Sequence, residues 1–335
     1  MVPVVRAFQH AWPNLSVTWI IGKPEHRLVA DLPGVEFIVF DKTAGRAGIA
    51  MLRRRLAGRR FDVLVHAQVS LRANLLSMIV RARRRVGFDR LRSREGHGLV
   101  VGERIAAVPF QHQALAFLEF ARHFGLPAEG IDRRPPIPDD AVEFAQRHQP
   151  DPHRAVLISP ASSHRLRNWH ARGYAEVADW IIATTGRPVI LVGGPSDAER
   201  RLGCDIERQM RHRPLNLIGQ DTLKQALAML DRAACLITPD AGPAHFAAAL
   251  GRPVIGLYAA TWSRRSGPFG SLEHCVDRFP EAAREFAGKP PEALPWGKRL
   301  EYPGVMDLID AGSVIERVEH LLSGGQTAAG AASQR

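Results

Sequence analysis

Between residues 156 and 258 short apolar runs alternate with stretches of helical spacing, and this alternation constrains the fold more than any other feature of the chain. The runs are VLISP (156–160), VILVGG (189–194), NLIG (216–219), CLITP (235–239) and PVIGLY (253–258). Helical patterns fall near 171–184, 196–210, 222–233 and 242–250, and Thr222 is placed to cap the third. Runs this short, apolar without alternation and separated by helices, call for buried strands of a parallel sheet covered on both faces. The fold class is therefore α/β.

The first half repeats the style without repeating the sequence. VTWII (17–21), FIVF (37–40), VLVHA (63–67) and VGF (86–88) read as strands, and 2–11, 46–57, 71–84 and 112–124 as helices, the last ending at Gly125. A proline-rich stretch follows, and proline at that density breaks regular elements. A length of 335 residues suits two domains of ~150 residues each. The expected organisation is a first domain over 1–135, a linker over 136–154, a second domain over 155–312, a helix over 313–323 and a disordered tail over 324–335. Two parallel-sheet domains would face a central crevice at the carboxyl ends of their strands, where ligands of such folds bind.

Charge narrows the ligand. The net charge is +11; residues 1–150 hold 23 Lys and Arg against 14 Asp and Glu, a net of +9. A basic half suits an anionic partner: nucleic acid, a phosphorylated small molecule or an acidic membrane surface. The nucleic-acid reading has no module signature behind it, and none is expected. No apolar run approaches the ~18–20 residues that span a bilayer, and the start lacks a signal-peptide pattern, so a cytoplasmic location is expected. Cys204, Cys235 and Cys275 are too widely spaced for a zinc site or a disulfide framework. There is no GxxxxGK[ST] loop, no Asp-x-Asp pair and no metal-spaced His/Cys cluster, so neither a metal nor a cofactor is expected.

Three strand ends carry chemistry. After CLITP come Asp240, Ala241, Gly242, Pro243 and, in the next helical turn, His245. Asp240 is expected to cap that helix, Gly242 lets backbone approach a ligand, and Pro243 suits the first turn. Such a helix start offers N–H donors and a positive dipole end to a phosphate. After VLISP comes a polar, basic loop with Ser162, Ser163, His164, Arg165 and Arg167, closed by Trp169. Hydroxyls and an arginine fork can hold a diphosphate. After VILVGG, Gly194 and Ser196 open a helix where a nucleoside would fit. In the first half Gln68, Arg72, Arg85, Arg90, Arg92 and Arg94 form a basic cluster suited to an acidic acceptor, or simply a solvated basic face.

The block Asp240–Tyr258, followed by TWSRRSGP (261–268), resembles the lipopolysaccharide heptosyltransferases, glycosyltransferase family nine. The loop 158–169 is similar to that family's donor-phosphate loop, and GFDRLRSREG (87–96) to its acceptor side. The resemblance implies a GT-B fold of two Rossmann-like domains. It implies inverting, metal-independent transfer of a heptose from ADP-heptose to the anionic inner core of lipopolysaccharide, at the inner face of the cytoplasmic membrane. Carried over, Ser162, Ser163 and Arg167 would hold the diphosphate, and Asp240, Gly242 and His245 the diphosphate and sugar. Arg72, Arg85 and Arg92 would face the acceptor, with Gln68 beside them.

Two departures from the family pattern stand out. Ala241 replaces the usual hydroxyl residue. The first strand, with the Gly-Asp turn whose aspartate is thought to be the general base, is expected upstream of Met1, so impaired catalysis is expected of these residues alone. Asp62 and His66, the nearest substitutes for that base, read more simply as strand residues. The alternatives are a non-catalytic nucleotide-sugar-binding remnant and a transferase or epimerase using another sugar nucleotide.

Overall fold

The computed structural model describes residues 1–127 and 130–332. The chain divides into two compact units, Met1–Pro136 and Ile137–Arg335.

The second unit is built on one six-stranded parallel sheet. Its strands are Val156–Ile158, Val189–Leu191, Leu215–Asn216, Cys235–Pro239, Val254–Tyr258 and Val276–Asp277, here β1 to β6 in chain order. Their order across the sheet is β3-β2-β1-β4-β5-β6. The winding runs outward one way from β1 and then the other way from β4, so the order reverses between these two central strands. Every residue of β1, β2, β4 and β5 is buried, which is why their sequences are apolar without alternation. The core beneath them includes Trp169, Tyr174, Ile181 and Phe279. Thr222 caps the helix Leu223–Arg232 as expected, in a reciprocal box with Gln225.

The first unit holds two parallel sheets. Val17–Gly22 pairs with Val35–Phe40, and Phe61–His66, Ala82–Gly87 and Glu103–Arg104 form a three-stranded sheet in chain order. Among the described residues no strand joins the two. The helix Gln113–His123 ends at Gly125, φ +72°, whose N–H bonds Arg122 O while Leu126 N bonds Ala121 O.

Three expectations need correction. The helix expected over 71–84 stops at Ser77, and 82–87 is a strand. Its arginines hid it, because Arg84 is exposed and pairs across to Glu103 on the neighbouring strand. The expected linker 136–154 contains the helix Asp139–His148, which packs on Leu223–Arg232 and belongs to the second unit. Asp139 and Asp140 in its first turn complement the helix dipole. The final helix runs Ala311–Ala332, through most of the expected tail; residues 333–335 lie outside the described residues.

Candidate functional site

Two loops leave the carboxyl ends of β1 and β4, where the sheet order reverses. After β4 the helix Gly242–Ala249 begins with Ala241 as its N-cap and with proline in its first turn. Ala241 has no hydroxyl, and no side chain caps this helix. The expectation that Asp240 caps it is therefore corrected: the cap position falls one residue later, and Asp240 Oδ2 lies 3.5 Å from Arg167 Nη1. A helix start without a side-chain cap leaves its N–H dipole end to an anion. Gly242 is exposed and Pro243 half-buried. His245 is exposed in the same turn; the protein crowded around its ring lowers its pKa, and Asp240 opposes that shift.

The loop after β1 is held by its own polar groups. Ser162 N–H donates to Asn168 Oδ1 at 2.7 Å, and Ser162 Oγ donates to His164 O at 2.9 Å. Ser163 is exposed. The loop ends on Trp169, 1% exposed, whose Nε1–H donates to Ile309 O at 2.9 Å. His170 then caps the helix Ala171–Thr185, its Nδ1 accepting from Gly173 N at 2.8 Å.

Arg167 joins the two loops. Its Nε and Nη2 both donate to Glu301 Oε1, at 2.7 and 2.6 Å, and its Nη1 faces Asp240. His164 Nε2 stands 3.5 Å from Glu301 Oε2. Burial tends to raise the Glu301 pKa, but the hydrogen bond and charge of Arg167 win and hold it below the usual range. Sequence reasoning missed Glu301, which lies 134 residues from Arg167 in the chain. The structure thus brings Arg167, Asp240 and His245 together.

The third strand end is arranged differently. Gly194 N–H donates to Glu199 Oε2, and Ser196 caps the helix Asp197–Gln209 by accepting from Glu199 N. A Cβ on Gly193 or Gly194 would stand 2.9 Å from a Glu199 carboxylate oxygen, so the glycines make room for that side chain. Nearby Asp221, also missed, has a buried Oδ2 with no partner among the described residues. Burial first, and then Glu199, push its pKa up to about 6.

In the first unit the basic cluster separates into two kinds. Arg85 donates to Val100 O, Val80 O and Ser77 O at 2.7–2.9 Å, which takes it off the acceptor face as a clamp between backbone segments. Arg92 is bound to Asp89 Oδ2, Gln111 Oε1 and Val108 O. Gln68 and Arg72 are exposed. Asp62 sits at the amino end of its strand, away from the carboxyl end where ligands bind in such sheets.

His66 and His97 are buried together, their rings stacked 4.9 Å apart. Phe88 N–H donates to His97 Nε2 at 2.9 Å, so His97 carries its proton on Nδ1 and donates to Asn74 Oδ1 at 3.1 Å. His66 Nε2 stands 2.9 Å from the same oxygen. Burial first, and then His66, push the His97 pKa down to about 4. A histidine held neutral adds stability above its unfolded pKa of ~6.5, and that contribution drains away as pH falls towards 4. With a discount for solvent near the loop, wild type should lose about 2 kcal/mol more than His97→Gln between pH 7 and 4. Urea unfolding at the two pH values measures this; parallel losses would show that His97 is not held neutral.

Comparison with known proteins agrees with this architecture. The profile of glycosyltransferase family 9 (heptosyltransferase) matches residues 49–291. The lipopolysaccharide core heptosyltransferase OpsX of Haemophilus influenzae is 34% identical over 318 residues, covering 95% of this chain and 91% of that protein. A glycosyl transferase family 9 structure from Veillonella parvula superposes with a TM-score of 0.75 at 21% identity, covering 96% of this chain and 92% of that one. The Escherichia coli heptosyltransferase WaaC with ADP gives 0.69 at 17% identity, over 96% and 94%. These likenesses show the GT-B fold. With a family match over residues 49–291 and a relative 34% identical across nearly its whole length, the chain belongs to glycosyltransferase family 9, the heptosyltransferases.

Proposed function

We propose that this chain transfers a heptose from ADP-heptose to a sugar hydroxyl of the lipopolysaccharide inner core, with inversion and without a metal or other cofactor, on the inner face of the cytoplasmic membrane. One observation carries the reading: Arg167 is fixed between Asp240 and Glu301 where β1 and β4 end, beside a helix start that no side chain caps. Transfer needs the departing nucleoside diphosphate to be stabilised as its charge develops. The Arg167 fork supplies positive charge there, and the N–H groups opening Gly242–Ala249 and His245 supply hydrogen-bond donors. Ser162 and Ser163 border the same loop. The base-bearing end of the nucleotide would extend towards Gly194, Ser196 and Asp221, at the ends of β2 and β3. Exposed Gln68 and Arg72 meet the anionic acceptor. The relatives named above as heptosyltransferases support donor and acceptor class. His66 is buried on Asn74, so it is not assigned as the general base.

Calorimetric titration with ADP, ADP-heptose and uridine diphosphate sugars, joined to a transfer assay on a deacylated core acceptor, tests the proposal. The expected result is tighter binding of the adenine nucleotides and turnover only when acceptor is present. Indifference to the base would overturn the donor, and donor turnover without acceptor would favour an epimerase.

A further inference from the structure

The helix Leu71–Ser77 in the first unit packs Leu76 on the core and leaves a second apolar stripe outside. Its buried side chains are Asn74, 2% exposed, and Ser77, 6% exposed. Leu71, Leu75 and the following Met78 are 54%, 53% and 60% exposed, at spacings that place them on one stripe. The short helix His97–Val100 lies against it and presents Leu99, 91% exposed. The connecting loop is tied to the first helix, because Leu71 N donates to Glu95 Oε2 and Asn74 Nδ2 to Glu95 O. Leu91 in that loop is 67% exposed. Asn74 is held inward by His97 and Glu95 O, but five large apolar side chains turned outward together mark a surface that something covers.

Charge identifies what covers them. Arg72, Arg90 and Arg94 are exposed around the stripe. Between residues 68 and 99 the only acidic residues are Asp89, which is buried and paired with Arg92, and Glu95, which is bound to Leu71 N. We propose that this patch is a membrane-docking surface, in which Leu71, Leu75, Met78 and Leu99 enter the interface of an anionic bilayer while Arg90 and Arg94 meet lipid phosphates. Among the described residues no helix is long and apolar enough to cross a membrane, and partial insertion of an exposed apolar stripe suits a peripheral contact. The inference deepens the proposed function, resting on it for the purpose of the contact: a lipid-linked acceptor is met where it lies.

The test is flotation of the full chain with vesicles of phosphatidylglycerol and phosphatidylethanolamine, and with phosphatidylcholine vesicles alone. Wild type should bind the anionic vesicles and not the neutral ones, more weakly as salt rises. Each leucine that enters the interface is worth about tenfold in partitioning. The variant L71S/L75S/M78S/L99S should therefore bind at least ~100-fold more weakly while its transfer to a soluble deacylated acceptor stays within about twofold. Leu99→Ser alone, at a side chain too exposed to matter for folding, should lose about tenfold. Equal vesicle binding by the fourfold variant, no preference for anionic lipid, or self-association through the patch with no vesicle binding would overturn the proposal. Transfer activity failing while vesicle binding holds would remove the functional reading and leave the docking surface.

Discussion

Arg167→Ala should lower turnover by about 10²–10³-fold and weaken ADP binding, the size expected when a fixed positive donor is removed from a developing anion. Two effects add. The diphosphate loses its charged fork, and Asp240 and Glu301 are left without their shared cation beside the site proposed for the incoming anion. The second effect separates this arginine from an ordinary surface one. If it operates, Arg167→Ala combined with Glu301→Gln should recover up to about tenfold over Arg167→Ala alone, because one repelling charge is gone. Arg167→Lys should fall between wild type and alanine, since an ammonium keeps the charge but cannot reach two carboxylates with a planar fork. Steady-state kinetics on the four proteins measures all of this. Turnover of the alanine variant within threefold of wild type would remove Arg167 from the donor site.

Legibility in the sequence followed burial. The strands β1, β2, β4 and β5 are covered on both faces, so their apolar runs show without context, and Thr222 with Gln225 announces a helix start locally. The strand Ala82–Gly87 did not show, because its arginines satisfy partners that only the fold supplies: Glu103 for Arg84, and three carbonyls for Arg85. The helix Asp139–His148 was hidden by prolines that end just where it starts, with Pro138 at its N-cap. Within the site, Arg167, Asp240 and His245 were readable because each lies in the segment that follows a buried strand. Glu301 was not, since no local pattern links it to Arg167. The outward stripe on Leu71–Ser77 escaped for a related reason: periodicity shows a stripe, but not which side of it faces water.

Gly173→Ala should destabilise the second unit by about 1–2 kcal/mol even though alanine is the better helix former. The propensity gain inside a helix is ~1 kcal/mol. Against it, the new Cβ would stand 2.3–2.6 Å from three ring atoms of Trp169. That ring has nowhere to go: it is 1% exposed, packs edge-to-face on Tyr174 at 5.1 Å, and its Nε1–H is bound to Ile309 O. Overpacking at so fixed a contact reaches the upper part of its usual range of ~1–3 kcal/mol, or exceeds it, so the clash outweighs the propensity. The ring also ends the loop that carries Arg167 two residues earlier. A shift approaching 1 Å at a positioning contact costs about 10² in rate, so turnover should fall more than stability does. Trp169→Phe separates packing from a general fragility of the helix. The smaller ring leaves room for the methyl, so Gly173→Ala should cost at least ~1 kcal/mol less in the phenylalanine background than in wild type. Denaturant unfolding of the four proteins gives that coupling; a Gly173→Ala protein as stable and as active as wild type would show that Trp169 does not set the position of the Arg167 loop.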